Sequence, residues 1–278
     1  MANEVLRNLK IESLQPSILA TDLDGTFIPL KDNDANQRDL RCLASELQDR
    51  DLDLIFVTGR HFTSVQAAIA DHRLPLPGWI ICDVGTSLFA RSAAGEYESV
   101  ASYAQHLESR IAGHTVDDLR QQLQAITGLR LQEPEKQGPF KLSYYADAEA
   151  LSKRVDQIQA VLDAEAAPYT VIASVDPFNQ DGLIDLLPTG VSKAFALRWW
   201  TEQYEYDQRS IVFAGDSGND LAALTAGYRS ILVANALQNV VQQAVAAHRQ
   251  QGWPDRLFLA TQTATSGVLE GLRHFGKW

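Results

Sequence analysis

Two carboxylates one residue apart, Asp22 and Asp24, follow the apolar run Ser17–Thr21 and enter a glycine-containing turn, Asp22-Leu23-Asp24-Gly25-Thr26. Acids at the end of a buried strand are costly unless something compensates their charge. A bound cation, with a phosphate chemistry that uses it, is one compensation; a plain Asp-Gly turn is the alternative. Three further segments bear on the choice. Thr58-Gly59-Arg60 follows the run Leu54–Val57 and offers a hydroxyl and a glycine-freed backbone, which suit a phosphate oxygen. A turn with a helix cap would also account for it. Lys193 opens a helical pattern behind Pro188–Ser192, with Ser192 as the N-cap. A lysine in a first helical turn opposes the macrodipole, a mild misfit that an anion in the same site relieves. Finally, Gly215-Asp216-Ser217-Gly218-Asn219-Asp220 follows the apolar run Ile211–Ala214. Open α/β sheets bind ligands at the carboxyl ends of their strands, and Mg²⁺ takes one or two carboxylates plus phosphate and waters. A polar loop in which Asp220 caps the next helix is the competing reading.

The elements that must position these residues alternate. Strand-like runs at Ile18–Thr21, Leu52–Thr58, Trp79–Cys82, Ile211–Ala214 and Ile231–Ala234 are interleaved with helical patterns at Asn36–Arg50, Ser192–Tyr204, Leu221–Ala226 and Leu237–His248. That alternation predicts right-handed crossovers and a parallel sheet covered on both faces. The stretch from Leu88 to Leu187 differs: candidate strands at Lys141–Ala146, Tyr169–Ser174 and Leu183–Leu187 flank a helical pattern over Ala148–Leu162. This predicts an α+β unit with an antiparallel sheet inserted into the α/β domain. The adjacent Trp199 and Trp200 read as core packing rather than a sugar platform.

The chain has 278 residues and a formal net charge of −11, with 35 acidic residues against 24 Lys and Arg. That balance argues against nucleic acid as a partner, since such binding rests on clustered basic residues. No apolar run approaches membrane-spanning length and Met1–Lys10 has no secretory h-region, so a cytoplasmic protein without a membrane partner is expected, with a monomer as the default. Cys42 and Cys82 make neither a disulfide framework nor a metal knuckle and read as reduced core residues.

Taken in order, Asp-x-Asp-Gly-Thr, Thr, Lys and Gly-Asp-x-x-x-Asp resemble the haloacid dehalogenase (HAD) superfamily of phosphohydrolases, and the insert resembles its C2-type cap. The resemblance implies a Rossmann-like HAD core with a parallel sheet from residues 1–87 and 188–278. It also implies an α+β cap over residues 88–187 that sets substrate specificity. It makes Asp22 the nucleophile of an aspartyl-phosphate and Asp24 the general acid and base. It puts Thr58 on a phosphoryl oxygen and Lys193 against the charge of nucleophile and phosphate. Mg²⁺ is implied on Asp22, Asp216 and the carbonyl of Asp24, with Asp220 holding metal-bound water and orienting Lys193, and with Asn219 near the phosphate.

A closer resemblance is to sucrose-phosphate phosphatases. It rests on Val84-Gly85-Thr86, Phe140–Tyr145, Asp185-Leu186-Leu187-Pro188, Val233-Ala234-Asn235-Ala236 and Ala264–Val268. Ser87 stands where that family often carries glutamate, and Asp176–Gly182 is not a clear copy. Gly59, Arg60 and Thr86 in the core, and Lys141, Tyr144 and Asn179 in the cap, are the implied sugar contacts. The implied reaction is Mg²⁺-dependent hydrolysis of a sugar phosphate, first sucrose 6-phosphate. Phosphates of glucosylglycerate, mannosylglycerate or other sugars, and a phosphotransferase or mutase reaction, stay open. So does a noncatalytic regulator of sucrose-phosphate synthase, although such a module need not keep Asp22, Asp24, Lys193, Asp216 and Asp220. A complex with that synthase is expected by pathway analogy alone.

Overall fold

The computed structural model describes residues 15–175 and 180–276. In chain order they form strands β1 (Ile18–Thr21), β2 (Asp53–Val57), β3 (Trp79–Cys82), β4 (Ser87–Arg91), β5 (Tyr97–Ser99), β6 (Arg130–Leu131), β7 (Leu142–Asp147), β8 (Tyr169–Val175), β9 (Asp181–Pro188), β10 (Ile211–Gly215), β11 (Arg229–Leu232) and β12 (Leu257–Leu259). The α-helices are α1 (Asp34–Asp49), α2 (Phe62–His72), α3 (Ala101–Arg110), α4 (Val116–Leu123), α5 (Leu151–Ala164), α6 (Lys193–Gln203), α7 (Leu221–Leu224), α8 (Gln238–Gln250) and α9 (Ala264–Phe275). The chain divides into two compact units, one running through Thr58 and containing Gln66–Ile80 and Lys193 onward, the other Gly59–Val65 and Ile81–Ser192.

In the first unit the strands lie in the order β12-β11-β10-β1-β2-β3. β12, β11, β10, β1 and β2 pair in parallel. All four residues of β1 and all five of β10 are buried, as expected of central strands covered on both faces. From β1 the chain goes to β2 on one side, and its later neighbour β10 lies on the other. The carboxyl end of the β1–β10 pair is therefore a topological switch point, where an open α/β sheet leaves a crevice.

Helix α1 is capped by Asn33, whose side chain accepts from the Asn36 amide, and it buries Leu40, Leu43 and Leu47. Buried Asn36 donates in turn to the Thr263 carbonyl and to Ser266 Oγ, tying α1 to the start of α9. The sequence pattern predicts no helix after His248, yet α9 packs closely on β11: a Cβ on Gly271 would fall 2.5 Å from Ile231 Cγ1. Cys82 is buried as expected, but Cys42 is exposed, because the helical phase that turns Leu40, Leu43 and Leu47 inward turns position 42 to solvent. Trp200 is fully buried, stacked on Tyr206 at 4.6 Å and edge-on to Trp79 at 5.7 Å, which is the core role expected of it.

In the second unit β4 and β5 form an antiparallel hairpin, and a separate antiparallel sheet has the order β6-β7-β9-β8. Helices α4 and α5 pack against β7. Leu142, Tyr144 and Ala146 of β7 are buried at alternate positions, with Ile184 and Leu186 of β9 beside them.

Trp200→Ala removes the largest fully buried side chain and should cost about 3–5 kcal/mol. The check is a urea midpoint that falls while the denaturant slope stays unchanged.

Candidate active site

Asp22 is the residue after β1, and Asp216 is the residue after β10. Adjacent strands lie about 4.8 Å apart, so two carboxylates leaving neighbouring strand ends in the same direction meet in the crevice. A one-turn 3₁₀ segment, Gly218–Asp220, then brings Asp220 back under them. Ligand oxygens of Asp22, Asp216 and Asp220 all lie within 4.8 Å of one another. Lys193, the first residue of α6, answers that charge: its Nζ lies 2.7 Å from Asp22 Oδ1 and 2.8 Å from Asp220 Oδ1.

Each acid is held separately. Asp220 Oδ2 accepts from the Asp216 and Ser217 amides and from Ser217 Oγ, so it completes a capping box at the same time as it binds Lys193. Asp216 Oδ1 accepts from Thr26 Oγ1 at 3.0 Å. Asn235 Nδ2 donates to the Gly25 carbonyl at 2.8 Å and to Asp216 Oδ2 at 3.4 Å, while its Oδ1 accepts from the Ala264 amide. Gly25 has φ +73°, and a Cβ there would sit 2.6 Å from Asp216 Oδ2, so both conformation and space demand glycine.

Burial and crowding set the electrostatics. Burial, then the neighbouring Asp220 and Asp216 charges, push Asp22 up to about 7 in spite of Lys193. Burial and Asp220 push Asp216 up to about 6. Burial alone would lower Lys193, but Asp22 and Asp220 hold its proton more tightly than in free lysine. One ammonium thus faces three carboxylates, and the surplus negative charge calls for a further cation. An all-oxygen, carboxylate-rich set is the donor chemistry of a hard divalent ion.

The sequence pattern of the sucrose-6F-phosphate phosphohydrolase family matches residues 15–276. The chain belongs to that family. It is accordingly a HAD-superfamily phosphoric monoester hydrolase of the sugar-phosphate phosphatase type, a group whose members generally use Mg²⁺. A HAD-like hydrolase of Nitrosococcus oceani is 36% identical over 274 residues, covering 94% of this chain and 72% of the relative. The mannosylfructose-phosphate phosphatase of Agrobacterium fabrum is 33% identical, covering 93% and 96%. Among solved structures, the sucrose-phosphatase of Synechocystis sp. PCC6803, in complex with sucrose and phosphate, superposes with a TM-score of 0.71 at 24% identity. It covers 94% of this chain and 98% of that one, a likeness that shows the shared fold.

The other residues singled out from the family's motifs fall in several places. Asp24 is exposed and Thr58 is buried just beyond β2. Asn219 is exposed beside Asp220. Gly59 and Arg60 belong to the second unit, where Arg60 Nη1 donates to Ser64 Oγ. Thr86 is buried, with its hydroxyl donating to the Asp83 carbonyl. Tyr144 is 5% exposed on the helix-covered face of its sheet, which is a packing position. Asn179 lies outside the described residues.

Lys141 is buried on β7's lead-in, its Nζ 3.5 Å from Asp83 Oδ1 and 3.8 Å from Asp185 Oδ1. Ser143 Oγ donates to the same Asp185 oxygen. Asp83 and Val84 both adopt positive φ, +52° and +59°, and for a β-branched residue that conformation is strained. The Asp83 amide donates to the Arg60 carbonyl, which anchors this strained turn. Thr26, Asn235, Asp83 and Ser143 were not among the residues singled out. The only sequence signals for them were the Thr of Asp-x-Asp-Gly-Thr, the Asn of Val-Ala-Asn-Ala, and polar residues inside otherwise apolar runs.

In the folded, metal-free chain Asp22 and Asp216 keep protons that the unfolded chain releases near 3.8. Their contribution to stability is therefore greatest at low pH and is lost as pH rises from about 4 through about 7. With EDTA present, the melting temperature of the wild type relative to Asp22→Asn should fall across that window, and Mg²⁺ should restore most above it. A wild-type curve that rises relative to Asp22→Asn would contradict the raised Asp22 value.

Proposed function

We propose that this chain hydrolyses the phosphate ester of a fructose-containing disaccharide, with sucrose 6-phosphate as the first substrate, in a Mg²⁺-dependent reaction through an aspartyl-phosphate on Asp22. The observation that carries the reading is the contact of Lys193 Nζ with both Asp22 and Asp220 beside Asp216. It leaves one Asp22 oxygen pinned and the carboxylate aimed from a rigid strand end. An Asp22 oxygen attacks phosphorus as the ester oxygen departs. Asp24, exposed beside the nucleophile, gives its proton to that leaving oxygen and then takes one from the water that cleaves the acyl phosphate. Lys193 holds the nucleophile and offsets charge on the transferring group, and Thr58 offers a hydroxyl to one of its oxygens. Asp22, Asp216 and the Asp24 carbonyl, together with Asp220, would hold Mg²⁺, which would supply the charge neutralisation that an anion attacking an anion needs.

Residues 88–187 act in this proposal as the cap that selects the sugar. Lys141 is its polar anchor, pre-oriented by Asp83 and Asp185 to donate to a hydroxyl. The family match favours sucrose 6-phosphate, and the 33% identical Agrobacterium relative favours mannosylfructose phosphate as the second reading. Both names share a fructose unit, so the two differ in the other hexose. A glucosylglycerol-phosphate synthase of Pseudomonas anguilliseptica is 28% identical, with the match covering 31% of its length. A working association with a synthase is in keeping with that match.

The test is phosphate release across a panel of both disaccharide phosphates, glucose 6-phosphate, mannose 6-phosphate and glucosyl-3-phosphoglycerate, with and without Mg²⁺. A preference for one disaccharide phosphate of about a hundredfold, roughly 2.7 kcal/mol in the transition state, is expected. Broad, weak release would remove the disaccharide assignment and leave the chemistry. Product analysis that finds phosphate on a second sugar would replace hydrolysis by transfer.

Three substitutions separate the roles. Asp22→Asn should abolish turnover, and wild-type rates in that variant would rule Asp22 out as nucleophile. Asp24→Asn should lower turnover by about 10²–10⁴ while the protein still folds and still binds Mg²⁺. Lys141→Met should raise KM for the preferred sugar far more than it lowers hydrolysis of a small aryl phosphate.

A further inference from the structure

Three arginines stand in a row at the end of the first unit's sheet that catalysis does not use. Arg209 lies in the turn Gln208–Ser210 that leads into β10, Arg229 is the first residue of β11, and Arg256 ends the turn that leads into β12. Strands β10, β11 and β12 are parallel neighbours, so all three guanidiniums rise from adjacent amino ends. They line one cavity of about 390 Å³ together with Trp253, Gly227 and Asp255. Asp216 follows the carboxyl end of β10, so the strand's five residues, a length of roughly 16 Å, separate this cavity from the catalytic acids.

The surroundings hold these side chains in place. Arg209 is clamped by Asp207, Nε to Oδ1 at 3.0 Å and Nη2 to Oδ2 at 2.7 Å. Arg256 Nη1 donates to the Gly227 carbonyl at 2.8 Å, and its guanidinium lies 5.0 Å over the Trp253 ring. Gly227 has φ +98°, and a Cβ there would come within 3.2 Å of the Trp253 ring, so the indole wall is close-packed. Arg229 is partly buried between the other two, and burial and the Arg256 and Arg209 charges weaken its hold on its proton against a smaller opposing pull from Asp207. Among the described residues lining the cavity, Asp255, which is exposed, is the acid, with Asp207 paired to Arg209 beside it. In a chain of net charge −11, convergent guanidiniums in a concave site are an arrangement that a bound oxyanion stabilises.

We propose that this cavity is a second anion site, taking a phosphate dianion or the diphosphate of a small molecule, separate from the hydrolytic centre. Arginine forks match two oxygens of one phosphorus at a time, and the three strand ends give room for more than one such group.

Calorimetric titration with inorganic phosphate and with inorganic pyrophosphate, in EDTA at constant ionic strength, tests it. The wild type should show a site whose affinity drops at least tenfold in Arg229→Gln and partly returns in Arg229→Lys. Mg²⁺-dependent hydrolysis of the sugar phosphate should stay within about twofold of wild type in the same variants. Should Arg229→Gln fail to fold by circular dichroism, Arg209→Gln gives the same reading from a more exposed position. Isotherms unchanged by the folded variants overturn the proposal, as does a loss of binding matched by an equal loss of hydrolysis, which would make the only phosphate site the hydrolytic one.

Discussion

Asp22, Asp216 and Asp220 can be packed within 4.8 Å of one another only because Lys193 is threaded among them. A buried ammonium at the first turn of a helix is unfavourable on two counts, desolvation and the helix macrodipole. Three clustered carboxylates, with Asp22 and Asp220 buried and Asp216 half-buried, are unfavourable on their own account as well. Brought together they are mutually necessary, and removing either side strands an uncompensated charge, typically at about 3–5 kcal/mol. The remaining features of the site follow from that constraint. Asp220 must be fixed by three donors to hold the lysine from below, Asp216 must be steered by Thr26 and Asn235, and Gly25 must have no side chain for Asp216 to fit.

The same constraint explains what could be read from the sequence. Asp22, Lys193 and Asp216 each break a local rule, an acid after a buried strand or a lysine at a helix start, and local rule-breaking is visible one segment at a time, while Asp220 is read from its spacing after Asp216. Thr26 and Asn235 break none. A threonine in a turn and an asparagine after a strand are ordinary until one sees that they meet Asp216 across 190 and 19 positions of chain. Asp83 and Ser143 were hidden in the same way, since only the fold brings them to Lys141 and Asp185.

Strands were more legible than helices for a related reason. The buried parallel strands β1, β2 and β10 read as continuous apolar runs, and so does β3. Helix α9 carries Gly267 and Gly271, poor helix formers whose value lies in close approach to Val233 and Ile231 of a distant segment. Tyr144 and Tyr145 could not be assigned to faces from alternation alone. The helices on one face of the sheet settle that Tyr144 is packed, while the Tyr145 hydroxyl meets Lys136 and Glu133.

Asn235 has one further implication. Its amide group bonds the Gly25 carbonyl on one side and the Ala264 amide on the other, so the loop after β1 and the amino end of α9 share a single clasp. Thr265 Oγ1 donates to the Phe27 carbonyl and reinforces the link. The C-terminal helix is thereby part of the same cooperative folding unit as the nucleophile's loop. Amide exchange at Gly25–Phe27 and along the first turn of α9 should then be governed by one opening event, and fraying of the last helix would be felt at the acid pair some 240 residues earlier in the chain.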